Sequence, residues 1–237
     1  MLPLNRQNQL RERYRQLCPG WQPSGEVYEA AVRQRMRAGM RVLDIGCGRG
    51  GLPEKLTNQI SGIFGIDAHW RSLSNYRDAR VRVCAGQAEC LPFPAGAFPL
   101  ITAAWLLEHI HTPLSTLREI RRMLTPGGHF IFLTPNGLNP ITLANRLSGS
   151  LPALQRTLVP RLYGRSPADT FPAHYRANTP RKLRQLARES GLQLLSLEAV
   201  RDPTYAAFNE IVFRALIALE DLLPDGLGVH LVGVLQR

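Results

Sequence analysis

Arg41-Val42-Leu43-Asp44-Ile45-Gly46-Cys47-Gly48-Arg49-Gly50-Gly51 decides how this chain is read. An apolar run passes directly into three alternating glycines and a fourth, the pattern of a strand that hands over to a loop built for close backbone approach. Glycine at 46, 48 and 50 removes every Cβ and permits positive φ, so a ligand can lie against bare peptide groups at the carboxyl end of the strand. Four glycines in the six residues from 46 to 51 are costly for a plain strand-to-helix turn, since glycine loses the most chain freedom on folding. Gly46, Gly48 and Gly51 also satisfy G-x-G-x-x-G, and Asp67 stands about where the ribose-binding acid of that dinucleotide fingerprint belongs. Spacing alone therefore does not name the ligand.

Asp44 narrows the choice. It precedes the first glycine by two residues, where a dinucleotide would bring its pyrophosphate, and a carboxylate there repels phosphate. The same charge suits a ligand with an ammonium, a sulfonium and no phosphate, as in S-adenosylmethionine (SAM). Val42 to Gly50 resembles motif I of the class I SAM-dependent methyltransferases. Further along, Gly86-Gln-Ala-Glu-Cys-Leu-Pro-Phe93 resembles the G-D-A-E-x-L-P-F segment of the small-molecule members related to ubiquinone and menaquinone biosynthesis enzymes. The resemblance is good from Arg41 to Pro135 and holds only in outline beyond.

This resemblance implies an α/β fold: a doubly wound, mainly parallel seven-stranded sheet with helices on both faces and a lid insertion after the fifth strand. It implies SAM as cofactor, with Asp44, Gly46, Cys47, Gly48 and Gly50 at the loop, Asp67 and Ala68 at the ribose, Gln87, Ala88 and Glu89 at the adenine, and Ala103, Ala104 and Trp105 along the methionine and adenine portions. Two positions depart from the family. Gln87 replaces an acid; its carboxamide oxygen still accepts a hydrogen bond but carries no charge. Pro99 stands where an Asp commonly follows Phe, and proline is tolerated at the first residue of a strand.

Composition sets the outer bounds. The 237 residues, 44% hydrophobic, suffice for one α/β domain. It divides into a helical lead-in (1–40), a cofactor-binding core (41–135), a substrate lid (136–178) and closing helices and strands (179–237). The net charge of +11 is carried almost wholly by arginine, with Lys55 and Lys182 the lysines, and is scattered without a run of five or six. That pattern favours a solvated basic surface over a nucleic-acid face. Cys18, Cys47, Cys84 and Cys90 form no C-x-x-C pair, and the first 17 residues lack the apolar core of a signal peptide, so a reduced, cytoplasmic protein is expected.

In chain order, Ser24 is expected to cap a helix over 26–37. Arg13 to Arg15, with Cys18 to Trp21, suits a fold-over of the cofactor mouth. Strands are expected at 60–67, 81–85, 100–104 and 128–135. A helix capped by Thr112 and opened by Pro113 precedes the last of these, with Leu114, Leu117, Ile120 and Leu124 on one stripe. Thr179 and Pro180 start another helix that ends at Gly191, followed by a strand over 192–200. A final helix over 205–223, with Phe208, Ile211, Val212 and Leu216 on one stripe, suits a core role, a wider substrate pocket or contact with an anionic membrane surface. A strand over 229–236 closes the sheet.

Chemically, methyl transfer from a sulfonium needs position and dryness first, and a base only when the acceptor carries a proton. His109, His174 and Tyr175 are the catalytic candidates, with His111 beside them; Glu108, His109 and His111 as a metal site is the weaker reading, and no metal is assigned. The lid, with Tyr163, Arg165, Phe171 and Arg176, suits a small-molecule acceptor that is aromatic, lipid-like or acidic. The alternatives are an RNA or DNA methyltransferase, against which Thr102-Ala-Ala-Trp105 lacks the D/N-P-P-Y grip on a flipped base, and a non-catalytic SAM-binding module.

Overall fold

The computed structural model describes residues 4–56, 60, 62–149, 172–205, 207 and 209–237. In chain order the elements are α1 (Leu4–Leu17), α2 (Ser24–Arg35), β1 (Arg41–Ile45), α3 (Leu52–Leu56), β2 (Gly62–Asp67), α4 (Trp70–Leu73), β3 (Val81–Ala85), β4 (Phe98–Ala104), α5 (Pro113–Met123), β5 (Leu124–Pro135), α6 (Pro140–Gly149), α7 (Pro180–Ser190), β6 (Gln193–Val200), α8 (Glu210–Leu222) and β7 (His230–Gln236). The strands form one seven-stranded sheet in the order β3-β2-β1-β4-β5-β7-β6. β1 to β5 are parallel, and β7 pairs antiparallel with both β5 and β6. The chain winds outward from β1 to β3 and then returns to lay β4 on the other side of β1. That reversal leaves a crevice at the carboxyl ends of β1 and β4, where open α/β sheets bind ligands.

Strand alternation sorts the core into two layers. Leu43, Ile45, Ile101, Phe130 and Phe132 face α5 and α7 through Leu117, Ile120, Leu183 and Leu186. Val42, Leu100, Ile131 and Leu133 face the other way, onto Tyr28 and Val32 of α2. Asp44, Thr102 and Ala104 are in phase with this second layer, and so lie on the α2 side.

Several local expectations shift in informative ways. α2 begins at Ser24 with Pro23 as its cap and no side-chain cap bond; the Ser24 hydroxyl instead lies 2.9 Å from His230 Nδ1. Thr112 likewise makes no cap bond at α5; its hydroxyl donates to Glu89 at 3.1 Å. Thr179 does cap α7. Gly191 then ends that helix at φ 74°, donating to Ala187 and Arg188. β4 begins at Phe98, and its register shifts between Phe98 and Leu100, so Pro99 sits at an irregularity where no ladder donor is needed. β5 correspondingly starts at Leu124, running through the Pro-Gly-Gly segment instead of after it.

The N-terminal aromatics do not cover the cofactor mouth. Tyr14 packs edge-on against Trp21 at 4.8 Å and Phe213 at 6.4 Å, and Trp21 Nε1 donates to Arg201 O at 2.7 Å. Their preferred partner is α8, whose buried residues are Phe213 and Glu220, with Leu216 and Ile217 half-buried. The stripe expected on this helix is therefore rotated. Asn209 caps it through Val212 N–H, and Ile211 projects outward, 78% exposed. Phe208 lies outside the described residues, as do Tyr163, Arg165 and Phe171 of the expected lid.

Candidate active site

The glycine loop is stapled to the end of β2. Gly46 N–H and Cys47 N–H both donate to Ile66 O, at 2.7 and 3.1 Å. Gly48 N–H donates to one oxygen of Asp67 at 2.9 Å, and His69 N–H to the other at 2.7 Å. Gly48 and Gly50 have φ of 56° and 122°. A Cβ at Gly48 would meet nothing within 4 Å, so the absent side chain leaves room for a ligand and not for a protein neighbour. Cys47 is buried, and its sulfur fills the space beside Gly65. Burial, with the charges of Asp44 and Asp67, raises its thiol pKa, which suits packing and not nucleophilic chemistry.

Asp44 pairs in register with Thr102 of β4, and the Thr102 hydroxyl donates to it at 2.7 Å. Burial pushes the Asp44 carboxyl up to about 7; the Thr102 bond opposes this shift and the Asp67 charge adds to it. Tyr28 of α2 reaches the same spot, a contribution the sequence reading missed. Its signal was the spacing Ser24, Tyr28, Val32, the true buried face of that helix.

These groups open onto a cleft of about 1210 Å³, lined also by Ala68, Gln87, Ala88, Glu89, Ala104, Trp105, His109, His111 and His174. Of the expected cofactor residues, Ala103 is not brought to the cleft. It stands between Thr102 and Ala104 on the strand, so alternation turns it into the opposite core layer. Trp105 is 42% exposed and has φ 58°, unusual for a bulky residue. Its ring meets His230 edge-on at 4.8 Å, and Tyr205 packs on that histidine at 4.9 Å. His230 is buried, and desolvation lowers its pKa to about 3.

The backbone carbonyl of buried Glu108 accepts from His174 N–H at 2.6 Å and Tyr175 N–H at 3.1 Å, folding the segment after 171 against the β4–α5 loop. The Glu108 carboxylate accepts from Thr134 at 3.0 Å, and Asn178 donates to the same threonine at 2.6 Å. His109 Nδ1 lies 2.9 Å from Pro172 O, and Nε2 lies 4.0 Å from Glu108. His111 and His174 meet edge-on at 5.2 Å. Tyr175 does not line the cleft; its ring lies under Arg146 instead, 5.9 Å away. Among the described residues no three His, Cys, Asp or Glu side chains converge as a metal site, and no helix is long and apolar enough to cross a membrane.

A family model described as "Methyltransferase domain" matches residues 10–197. The chain belongs to this methyltransferase family. Among curated proteins, the ubiquinone biosynthesis O-methyltransferase of Pseudomonas aeruginosa is 34% identical over 134 residues, which is 52% of this chain and 55% of the relative. The chain thus spans about half the length of the curated relatives it matches. The fold is shared with a putative methyltransferase of Haloferax volcanii solved with the Trm112 activator, at TM-score 0.62, 18% identity and coverage of 98% of this chain and 92% of that one. The geranyl diphosphate C-methyltransferase of Streptomyces coelicolor A3(2) also shares it, at TM-score 0.61, 14% identity and coverage of 90% and 80%.

Proposed function

We propose that this methyltransferase transfers a methyl group from SAM to a hydroxyl of a small-molecule acceptor. The observation that carries the reading is the shared lining of one cleft, onto which the glycine loop, Asp44 and Asp67 face together with His109, His111 and His174. The O-methyltransferase relatives support a hydroxyl as the acceptor group. The cofactor fits the residues present. Gly48 leaves an unfilled cradle, Asp44 offers a buried carboxylate to an ammonium, and the cleft exceeds the several hundred Å³ that a ligand of this size needs.

Bound there, SAM supplies a methyl group already activated on a sulfonium. Asp67 accepts from the ribose hydroxyls while bracing the loop, and Gln87 and Glu89 border the adenine. His109 is the base. A carbonyl can only accept, so the Pro172 contact makes Nδ1 the protonated nitrogen and leaves Nε2 to take the acceptor proton. The nearby Glu108 carboxylate stabilises the imidazolium that results. The apolar side chains of Trp105, Leu106 and Leu133 line the cleft, displace water from around the methyl group and align the displacement.

Thermal melts with S-adenosylhomocysteine and with NAD test the cofactor. The homocysteine ligand is expected to raise the melting temperature and NAD to leave it unchanged; the reverse would overturn the methyltransferase reading. Tritiated-methyl transfer into fractionated cell extract tests the acceptor. Label is expected in the small-molecule pool, and label confined to nucleic acid would remove that substrate class.

A further inference from the structure

We propose that the outer side of α6 and α8 is a docking surface for an anionic phospholipid bilayer, which holds the cleft at the edge of the lipid. The inference rests on the small-molecule reading above and adds the place from which an amphiphilic acceptor enters.

Topology fixes where these helices stand. Val200 ends β6 in register with His230, the first residue of β7, so the connection that carries α8 leaves and rejoins the sheet at one edge. Pro135, the last residue of β5, pairs with the same His230, so the chain enters α6 from that edge as well. It is the carboxyl edge of the parallel strands, where the cleft opens, and the His230 ring meets the cleft residue Trp105. Asn139 Nδ2 donates to Leu227 O at 2.7 Å, which ties the start of α6 to the loop that follows α8.

α8 is apolar on two sides. Phe213, Leu216 and Ile217 turn inward to Tyr14. Ile211, Ala215, Ala218, Leu219 and Leu222 recur at i, i+4, i+7, i+8 and i+11 and form a second stripe on the opposite side. Ile211 and Leu222 are 78% and 82% exposed, more than any other large apolar side chain among the described residues. Leu138 and Leu143 add two exposed leucines at the α6 end.

The charges beside the stripe select the partner. Arg214 borders it and pairs with Glu210 at 2.8 Å. A protein laid over this face would have to strip water from that pair, a cost that the pairing itself seldom repays. A bilayer takes the apolar side chains into its surface and leaves the charges among hydrated headgroups. The net charge of +11 attracts the chain to an anionic leaflet. No described helix is long and apolar enough to cross, so the contact is peripheral.

Sedimentation with vesicles of phosphatidylglycerol and phosphatidylcholine tests the surface. Wild type is expected to sediment with the vesicles, and the double variant Ile211→Asp, Leu222→Asp to bind at least tenfold more weakly. Its melting temperature, with and without S-adenosylhomocysteine, should match wild type, because both side chains are exposed. A second double variant, Ile211→Ser, Leu222→Ser, adds no charge and should lose binding too. Loss in the aspartate variant alone would reveal repulsion in place of a lost apolar contact and would overturn the surface. Wild type left in the supernatant, or variants that bind as tightly as wild type, would do the same. So would light scattering that found a wild-type dimer, a monomeric variant and no vesicle binding, since the face would then join two copies of this chain. A wild-type melt that S-adenosylhomocysteine does not raise would overturn the SAM reading alone and leave vesicle binding to judge this surface.

Discussion

The glycine loop after β1 and the β5–β7 pair both depend on glycine, for opposite reasons. At Gly48 the place of a side chain is open, with nothing within 4 Å. At Gly233 it is taken, since a Cβ there would stand 2.2 Å from the ring of Phe132, its register partner on β5. One glycine keeps space for a molecule that comes and goes. The other lets a fully buried aromatic ring lie over the backbone of the neighbouring strand. Composition cannot tell these uses apart, because the residue is the same and only the neighbour differs.

The comparison breaks first at Gly233. Gly233→Ala forces an interior strand away from Phe132, and a loss of about 3 kcal/mol or more is expected in denaturant unfolding. A change below about 1 kcal/mol would mean that Phe132 relaxes freely and that the packing role is wrong. Gly48→Ala should behave the other way. Strain at φ 56° is expected to cost about 1 kcal/mol of stability, while S-adenosylhomocysteine affinity falls more than tenfold; loss of stability with binding intact would contradict the open-cradle reading.

Asp67→Ala is expected to weaken cofactor binding by about 1.5 to 3 kcal/mol, through lost charge-assisted bonds and a loop freed at Gly48. Gln87→Ala should cost less, since that side chain is exposed and neutral. The opposite ranking by calorimetry would exchange the ribose and adenine assignments.

The smallest effect is expected where two buried groups oppose each other. Asp44 is raised from 3.8 to about 7, so the folded state holds a proton that the unfolded chain gives up. Its contribution is fully present below about pH 4 and is lost as pH rises through 7. His230 is lowered from 6.5 to about 3, so its contribution is present above about 6.5 and is lost as pH falls toward 3. Between about pH 4 and 6.5 the two slopes cancel in part. Asp44→Asn should therefore make stability rise with pH across this window, and His230→Asn should make it fall. Melting curves at several pH values check both signs; parallel profiles for the two variants would show that other groups set the pH dependence.

Much of the sheet was legible because its determinants are local. The loop from Asp44 to Gly50 and the acid that ends β2 announce themselves within a few residues. Thr179 and Gly191 mark the two ends of α7 in the same way. Tyr28, Thr102 and His230 could not be read so. Tyr28 reaches Asp44 through the packing of α2, Thr102 through a register across 58 residues, and His230 meets Ser24 across 206. Ala103 was misplaced for a simpler reason: adjacent strand residues face opposite ways, so with Ala104 on the cleft side Ala103 joins the layer of Ile101. The stripe assigned to the last helix was misplaced because Asn209 and the partner residues on α1, not periodicity alone, set which face turns inward.

The placement of β7 between β5 and β6 also has a meaning in time. β6 ends at Val200 and its pairing partner begins at His230, 30 residues later. At roughly 5 to 20 residues per second on the ribosome, that is about 2 to 6 s of synthesis. Throughout that interval the emerging β6 has no strand to join. It would be an open template for unwanted pairing with other nascent chains. Its sequence, Gln193-Leu-Leu-Ser-Leu-Glu-Ala-Val200, places a serine and a glutamate among the apolar residues. A serine and a glutamate in such a position break the apolar run, the kind of interruption that discourages pairing while a sheet is half made.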